Sequence, residues 1–355
     1  MAIHRRTALA LVATAALVIP ATPAGAATVS DPIVEGLTSP LGLAIGDDGT
    51  MYVAQSFAGT LTSIDRKGHR RDIAQVDPES QFIAGVAAAG RGTVTYAVSG
   101  APPQDVFRVL PNGKKKRLGT TSDLELQKNP DGEVMYGFQG LDEECAAQFP
   151  EDDPASFPGD VNPNAYAVAI MPDGSRVVAD AGGNTLVRLA PNSRRATLLS
   201  LLPPVAVTAT PQIVESAGLP ECVTGHDYWF HPVPTDVELG PDGMLYVSSL
   251  AGGPEDADFQ TLVGGTGGVF RVNPATGNAT RIANGFLGAV DLAVAPNGDI
   301  YVAELYADRI SKVVGGAPHP VADIPMPGAV EWANGMLYAT GGVFASGFVV
   351  TIDVS

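Results

Sequence analysis

Apolar and polar residues alternate along this chain in short runs that come in pairs, each pair joined by a tight turn. The clearest pair occurs twice: P-T-D-V-E-L-G-P-D-G-M-L-Y-V-S begins at Pro234, and A-V-D-L-A-V-A-P-N-G-D-I-Y-V-A begins at Ala289. Alternation of this kind has the two-residue period of a half-buried strand. Between the runs, proline presets φ and glycine supplies φ > 0, the chemistry of a hairpin turn. A second hairpin follows each, V-F-R-V-N-P-A-T-G-N-A-T-R-I-A after Gly268 and R-I-S-K-V-V-G-G-A-P-H-P-V-A after Asp308. Four short strands, repeated as a unit, predict a β-propeller blade.

Further copies start at Pro40 (P-L-G-L-A-I-G-D-D-G-T-M-Y-V-A), in degenerate form at Phe82, and at Ala165 (A-Y-A-V-A-I-M-P-D-G-S-R-V-V-A-D-A-G-G-N-T-L-V-R-L). After Pro325 the last copy supplies only three strands. Its missing outermost strand is assigned to the N-terminal T-V-S-D-P-I-V-E-G-L from Thr28, because an open ring would leave unpaired strand edges. The expected fold is therefore all-β: a six-bladed propeller spanning 27–355 as one domain, closed by its N-terminal strand. Turn glycines Gly49, Gly92, Gly174, Gly243, Gly298 and Gly335 mark the units. Their spacing approaches roughly 40 residues once three insertions are set aside, at about 120–162, 205–232 and 251–267. These insertions lack alternation and are expected to be irregular. In a four-stranded meander, second-to-third strand loops and blade-to-blade connections share one face, so all three should cap the same end of the ring.

Residues 1–26 stand outside this pattern. Arg5 and Arg6 precede an apolar run over 8–20, and Ala24-Gly25-Ala26 offers a small-x-small cleavage site, which reads as a secretory leader. A secreted, monomeric protein with no transmembrane segment is expected, since no later stretch reaches the roughly 18 apolar residues of a span. The formal charge is −17, and −19 once Arg5 and Arg6 leave with the leader. Such a balance argues against nucleic acid as a partner.

The charges that remain are sorted by position. Arg66, Lys67, Arg70, Arg71, Lys114, Lys115, Lys116, Arg117, Arg194 and Arg195 fall in the outer hairpins of three adjacent blades. Asp142, Glu143, Glu144, Glu151, Asp152, Asp153, Glu255, Asp256 and Asp258 fall in the insertions. A run of charge in a hairpin is commonly just a solvated turn; the sharper expectation is a basic rim that rests on an anionic cell-envelope polymer.

Cys145 and Cys222, the only cysteines, lie one in each of the first two insertions and are expected to form a disulfide in an exported protein. Gln55, Asp180 and Glu304 end second strands, and Ser249 stands near the corresponding place. With His226, Tyr228, Trp229 and His231, the polar-aromatic cluster of the second insertion, they are the candidate ligand contacts. Asp236 and Asp291 open innermost strands at equivalent positions; with Glu304 they are the candidate metal ligands, for which Ca²⁺ is the cofactor the residue types suit. Neither H-E-x-x-H nor G-x-S-x-G occurs, and no catalytic residue is assigned.

With the repeats placed, P-T-D-V-E-L-G-P-D-G-M-L-Y-V-S, G-G-V-F-R-V and G-F-L-G-A-V-D-L-A-V-A-P-N-G-D-I-Y-V-A-E resemble the ScyD/ScyE-type family of exported bacterial propellers, as does V-E-G-L-T-S-P-L-G-L-A-I-G-D-D-G-T-M-Y-V-A-Q at the start. That resemblance implies the propeller fold and no established reaction. More distantly, V-A-D-A-G-G-N-T-L-V-R-L resembles NHL repeats. The six-bladed fold is similar to the gluconolactonase and calcium-dependent phosphotriesterase group, whose metal cluster begins with a glutamate on an early strand. Glu35-Gly36 imitates that start but sits in the predicted closing strand, and residues 41–45 carry no acid. The functional expectation is an exported binding or scaffold propeller that holds a small molecule, glycan or protein on its capped acidic face. The alternative is a Ca²⁺-dependent hydrolase of lactones or phosphoesters at the propeller centre, with Asp180 as a further ligand and the ion polarising the ester oxygen or activating water.

Overall fold

The hairpins form because their turns satisfy themselves locally. In the computed structural model, which describes residues 27–90, 92–253 and 257–355, the side chains of Asp48, Asp173, Asp242 and Asn297 each accept the backbone N–H two residues on, at 2.9–3.0 Å. The glycine between, as at Gly243 with φ 77°, takes the left-handed conformation that lets the chain reverse. The expected leader at 1–26, and Glu255 and Asp256 of the acidic set, lie outside the described residues.

Seven sheets assemble among the described residues, six of them from consecutive hairpins in chain order. The first runs Pro40–Ile45, Met51–Gln55, Thr60–Ile64 and Arg70–Gln75. The second begins at Gln81–Ala89, the third at Ala165–Ile170, the fourth at Pro234–Leu239 and the fifth at Ala289–Val294. The sixth contains Val330–Ala333, Met336–Gly341 and Gly347–Asp353. Its outer edge is completed by Thr28–Val29 and Val34–Leu37, with Thr28 opposite Asp353 and Val34 opposite Val349. Ser30 N–H and Ile33 N–H donate to the Thr351 and Val349 carbonyls at 2.9 and 2.8 Å, extending the ladder between the two short strands.

The apolar core is divided into wedges between neighbouring sheets. Leu61 and Ile83 meet in the wedge between the first and second sheets, and comparable clusters fill the gaps from second to third, third to fourth, fourth to fifth and fifth to sixth. A further wedge, with Leu43, Ile64, Ala329 and Val349, joins the sixth sheet back to the first. Each fully buried Val, Leu or Ile contributes roughly 1.5–3 kcal/mol, so the wedges are the main source of cohesion. Across that same seam, Thr340 Oγ1 donates to the Pro40 carbonyl at 2.8 Å.

The insertions are not irregular, contrary to the expectation from their pattern. Met135–Phe138 and Ser156–Pro158 from the first pair with Val205–Thr208 and Asp227–Phe230 from the second to make the seventh sheet. Its strands are short and their partners far apart in sequence, so local alternation could not reveal them. Short helices accompany it at Ser122–Lys128, Glu143–Ala146 and Pro211–Ser216, and Ala257–Leu262 forms in the third insertion. Thr210 caps one of these by accepting Ile213 N–H at 3.2 Å, with Pro211 in the first turn where its missing N–H costs nothing.

Ring closure gives the first prediction. Deleting residues 28–37 strips the outer edge from Gly347–Asp353, and the variant is expected to self-associate on size-exclusion chromatography and to unfold at a lower temperature. Val34→Asp, which places a lone charge in the closing wedge, should cost roughly 3 kcal/mol in urea unfolding. A deletion variant that stays monomeric with an unchanged midpoint would show that the N-terminal strand is dispensable.

Candidate functional site

The seventh sheet and the helices around it form a cap, and the Cys145–Cys222 disulfide joins its two parent insertions, with Cα atoms 5.9 Å apart. Its Cys145 end is packed into a small core with Phe138, Ala209, Val214 and Val223, while Cys222 lies at the surface. Asp142 caps the helix that carries Cys145, accepting the Cys145 N–H at 2.8 Å.

Strand Asp227–Phe230 alternates as its two-residue period requires. Tyr228 and Phe230 point inward, their rings 4.6 Å apart, and Tyr228 meets Phe138 edge-on at 5.0 Å. Beneath them lies a cavity of about 180 Å³ lined by Phe138, Val207, Ile213, Tyr228, Phe230 and Phe259, with Ala209, Ala217, Leu219, Gly253 and Val263 completing the wall. The Tyr228 hydroxyl is the one side-chain polar group in that lining, and burial pushes its pKa up. All three insertions contribute to this wall.

A polar cleft of about 290 Å³ lies on the other side of the Phe230–His231 step, lined by Asp160, Asn162, Asn164, His231 and Gly252 among others. The His231 ring stacks on Tyr136 with centroids 3.7 Å apart. Asn184, in the left-handed region at φ 56°, links the two walls: its Nδ2 donates to Asp131 at 2.7 Å and lies 2.9 Å from His231 Nδ1, and its Oδ1 accepts Val233 N–H at 3.1 Å. Tyr136 Oη donates to the same Asp131 oxygen at 3.1 Å. Burial depresses the pKa of His231 against the opposing pull of Asp131 and Asp160. Burial also raises Glu125 to about 7, helped by Asp180 and Asp131 nearby.

On the axis of the ring, Asp236, Glu238, Asp291 and Glu331 face a void of only about 20 Å³. The opposite wall comes from Gly42, Gly85 and Ala167 of the first three sheets. A Cβ on Gly42 would stand 2.4 Å from the Ala84 carbonyl oxygen, and one on Gly85 2.4 Å from Ala167 Cα, so glycine is what lets these inner strands close up. The acids bridge successive sheets instead: Asp236 accepts Leu292 N–H at 3.4 Å and Asp291 accepts Val330 N–H at 2.9 Å. Glu331 of the sixth sheet faces the Ile45 backbone of the first, which opposes the rise of its pKa. Burial raises all four pKa values, Asp236 to about 7 and Glu331 to about 8, and mutual repulsion adds to the shift at Glu238, Asp291 and Glu331.

The expected metal set does not assemble. Asp236 and Asp291 share the axial void, but Glu304 is fully buried elsewhere, gripped by Arg309 at 2.7 and 3.1 Å, by Ser311 Oγ and by Leu287 N–H at 2.9 Å. Among the described residues no three His, Cys, Asp or Glu side chains form a group able to hold a metal ion. Glu238 and Glu331 were absent from the candidates, yet a signal existed: Glu238 is two residues from Asp236 on one strand face, and V-E-W aligns with V-D-L at Asp291.

The expected ligand contacts divide likewise. Gln55 accepts Thr38 N–H at 2.7 Å and donates to Thr62 at 2.8 Å, Ser249 donates to the Pro232 carbonyl, and Asp180 accepts Asn164 and Gly183 N–H groups at 2.7 and 3.1 Å. These strand-end groups hold loops. His226 lies 3.0 Å from the Gln139 carbonyl through Nδ1, and Trp229, 36% exposed, is on the outer side of its strand. Tyr228 lines the apolar cavity and His231 the polar cleft.

No protein-family model and no curated sequence matches the chain. Solved structures match nearly all of it. A gluconolactonase from Xanthomonas campestris aligns at TM-score 0.55 and 13% identity, covering 95% of this chain and 98% of its own. The PQQ-bound aldose sugar dehydrogenase of Streptomyces coelicolor gives 0.54 and 16%, covering 94% and 100%. Virginiamycin B lyase from Staphylococcus aureus gives 0.52 and 14%, covering 92% and 98%. At these identities the likeness defines the fold class, a β-propeller, and leaves the chemistry to the chain's own residues.

The axial acids make stability depend on pH. Carboxylates in the unfolded chain titrate at about 4, whereas Asp236 and Glu331 in the fold hold protons to about 7 and 8. Between those limits the folded state binds more protons, so stability present in acid is lost as pH rises. The unfolding midpoint should fall from pH 5 to pH 8, and Glu331→Gln should flatten the fall. A wild-type midpoint that climbs over this range would mean that the acids are ionised in the folded chain.

Proposed function

We propose that this chain is an exported six-bladed propeller that binds an apolar small molecule, or the apolar part of one, under its cap. Six sheets are read as blades and the seventh as the cap, because apolar wedges join the six into a cycle while the seventh is built from insertions. Order and spacing of the repeats are the grounds for placing it with the ScyD/ScyE-type propellers. The leader and the disulfide are the grounds for export.

The observation that carries the binding function is the aromatic-walled cavity of about 180 Å³. An apolar cavity of roughly 150 Å³ stays dry and takes up a benzene-sized guest. This one therefore fits one aromatic ring or a short alkyl segment. A glycan is disfavoured, since a sugar needs several convergent hydrogen-bonding groups and the lining offers one hydroxyl. Binding of a neutral fluorescent naphthylamine is the direct test. Ala217→Trp, which fills the cavity from its helix end, should weaken it about tenfold or more with little change in melting temperature. Reduction of the disulfide should weaken it too, by loosening the cap. Equal binding by wild type and Ala217→Trp would remove the cavity as the site.

The hydrolase alternative rests on the axial acids and, loosely, on the gluconolactonase among the structural neighbours. Thermal unfolding in EDTA and in about 1 mM Ca²⁺ separates the two: a micromolar ion site would add roughly 4 kcal/mol by mass action. Equal midpoints are expected. A shift of several degrees, lost in Asp236→Asn, would restore the ion and with it the case for lactone and phosphoester assays.

A further inference from the structure

The insertions account for one side of the molecule and leave its outer edge unexplained. Five arginine and lysine side chains of the described residues sit in ion pairs, Arg117 with Asp105, Arg188 with Asp173, Arg271 with Asp242, Arg309 with Glu304 and Lys312 with Asp299. Acids outnumber bases 38 to 21, so partners are plentiful. Yet Arg71, Lys114, Lys115, Lys116, Arg194 and Arg195 are all exposed and make no side-chain hydrogen bond or ion pair among the described residues. Arg66 and Lys67, in the turn before Arg71, are exposed in the same way.

These residues lie along one rim because neighbouring outer hairpins touch. The Arg71 guanidinium stands beside the second sheet's outer turn, 3.2 Å from where a Cβ on Gly113 would lie. Thr120 N–H, at the end of the second sheet's outer strand, donates to the Arg194 carbonyl at 3.3 Å, and Thr120 bridges Arg195. A basic band thus follows the touching outer hairpins of three sheets, with Arg117 between Lys116 and the Thr120 contact. Most of the local acids are already engaged: Asp48 by the Thr50 N–H, Asp65 by His69 and turn amides, Asp72 by Thr62, and Asp105 by Arg117 and Thr120, while Asp123 stands exposed near Arg117.

The band is also grooved. Between the first and second outer hairpins lies a cleft of about 330 Å³ with His69, Arg70, Arg71, Ser63 and Tyr52 in its walls. A second, of about 530 Å³, lies between the first hairpin and the sixth sheet, with Arg66, Asn334 and Tyr338 in its walls; Asp65, held by His69, lines both clefts. A flat anionic surface would touch only the ridges between such clefts. A flexible chain of anionic units can follow the band and seat a unit in each cleft, while a stiff duplex would be carried onto the acidic remainder of the surface.

We propose that this band is a docking surface for a linear polyanion. The ligand chemistry is a flexible chain bearing regularly spaced carboxylates or phosphates, which arginine forks and lysine point charges both recognise. This inference does not rest on the cap cavity, and either can fail alone.

The test is fluorescence anisotropy of labelled polygalacturonate and labelled long-chain inorganic polyphosphate titrated with the full-length mature protein. Binding at about 20 mM salt should weaken by about tenfold or more at about 300 mM. A variant carrying Lys114→Gln, Lys115→Gln, Lys116→Gln, Arg194→Gln and Arg195→Gln should lose about tenfold or more in affinity, whereas Arg271→Gln, a paired arginine of the fourth sheet, should bind as wild type. All these side chains are exposed, and circular dichroism melts confirm the fold of each variant. Preference for one polymer supports the proposal and names the anion. It is overturned by equal affinity of the five-fold variant and wild type, by no binding of either polymer at low salt, or by binding confined to anionic lipid vesicles.

Discussion

A cycle of sheets has one seam, and everything else in this molecule depends on how the seam is shut. Strands Thr28–Val29 and Val34–Leu37 add to Gly347–Asp353, so the last sheet is made from both ends of the chain. With that edge paired, each sheet can bury both faces against neighbours, and the wedge holding Val349 and Leu43 is no weaker than the others. Contacts formed within one sheet are local in sequence, whereas the closing ladder joins residues some 320 positions apart. It is the pairing with the greatest loop-closure cost, which grows only slowly with length.

Closure of the ring also determines what its centre can be. Three sheets bring Gly42, Gly85 and Ala167 to the axis and three bring acids, so the inner strands pack backbone to backbone on one side and are pinned by carboxylate–amide bonds on the other. The resulting void is too tight for a substrate. Space for a guest appears instead at the periphery of one face, where the insertions build walls the repeats do not have.

Much of the frame was legible in the residues. Hairpins announce themselves because Pro-Asp-Gly and Pro-Asn-Gly turns are satisfied within four residues, as at Asp242 and Asn297, and the disulfide was legible because the chain's two cysteines fall one in each of two insertions. The cap sheet was not legible, since Tyr228 faces Val207 and Phe138 across separations that no local pattern encodes. The strand-end polar residues misled for a physical reason. A polar residue after Y-V-A sits where the backbone turns away from the sheet, and unpaired amides there draw it in, as Leu287 N–H draws Glu304. The same acid at a strand end can serve a loop or a ligand, and only the neighbouring arginine, Arg309, decides between them.

The disulfide has a topological consequence. Cys145 precedes the third sheet and Cys222 follows it, so the whole of that sheet lies inside a covalent loop 77 residues long. A single backbone cut in an exposed part of the loop, such as the segment at 151–154 or the turn at 191–195, leaves the two fragments tethered through the disulfide. After such a cut the cavity walls would outlast the integrity of the chain that made them.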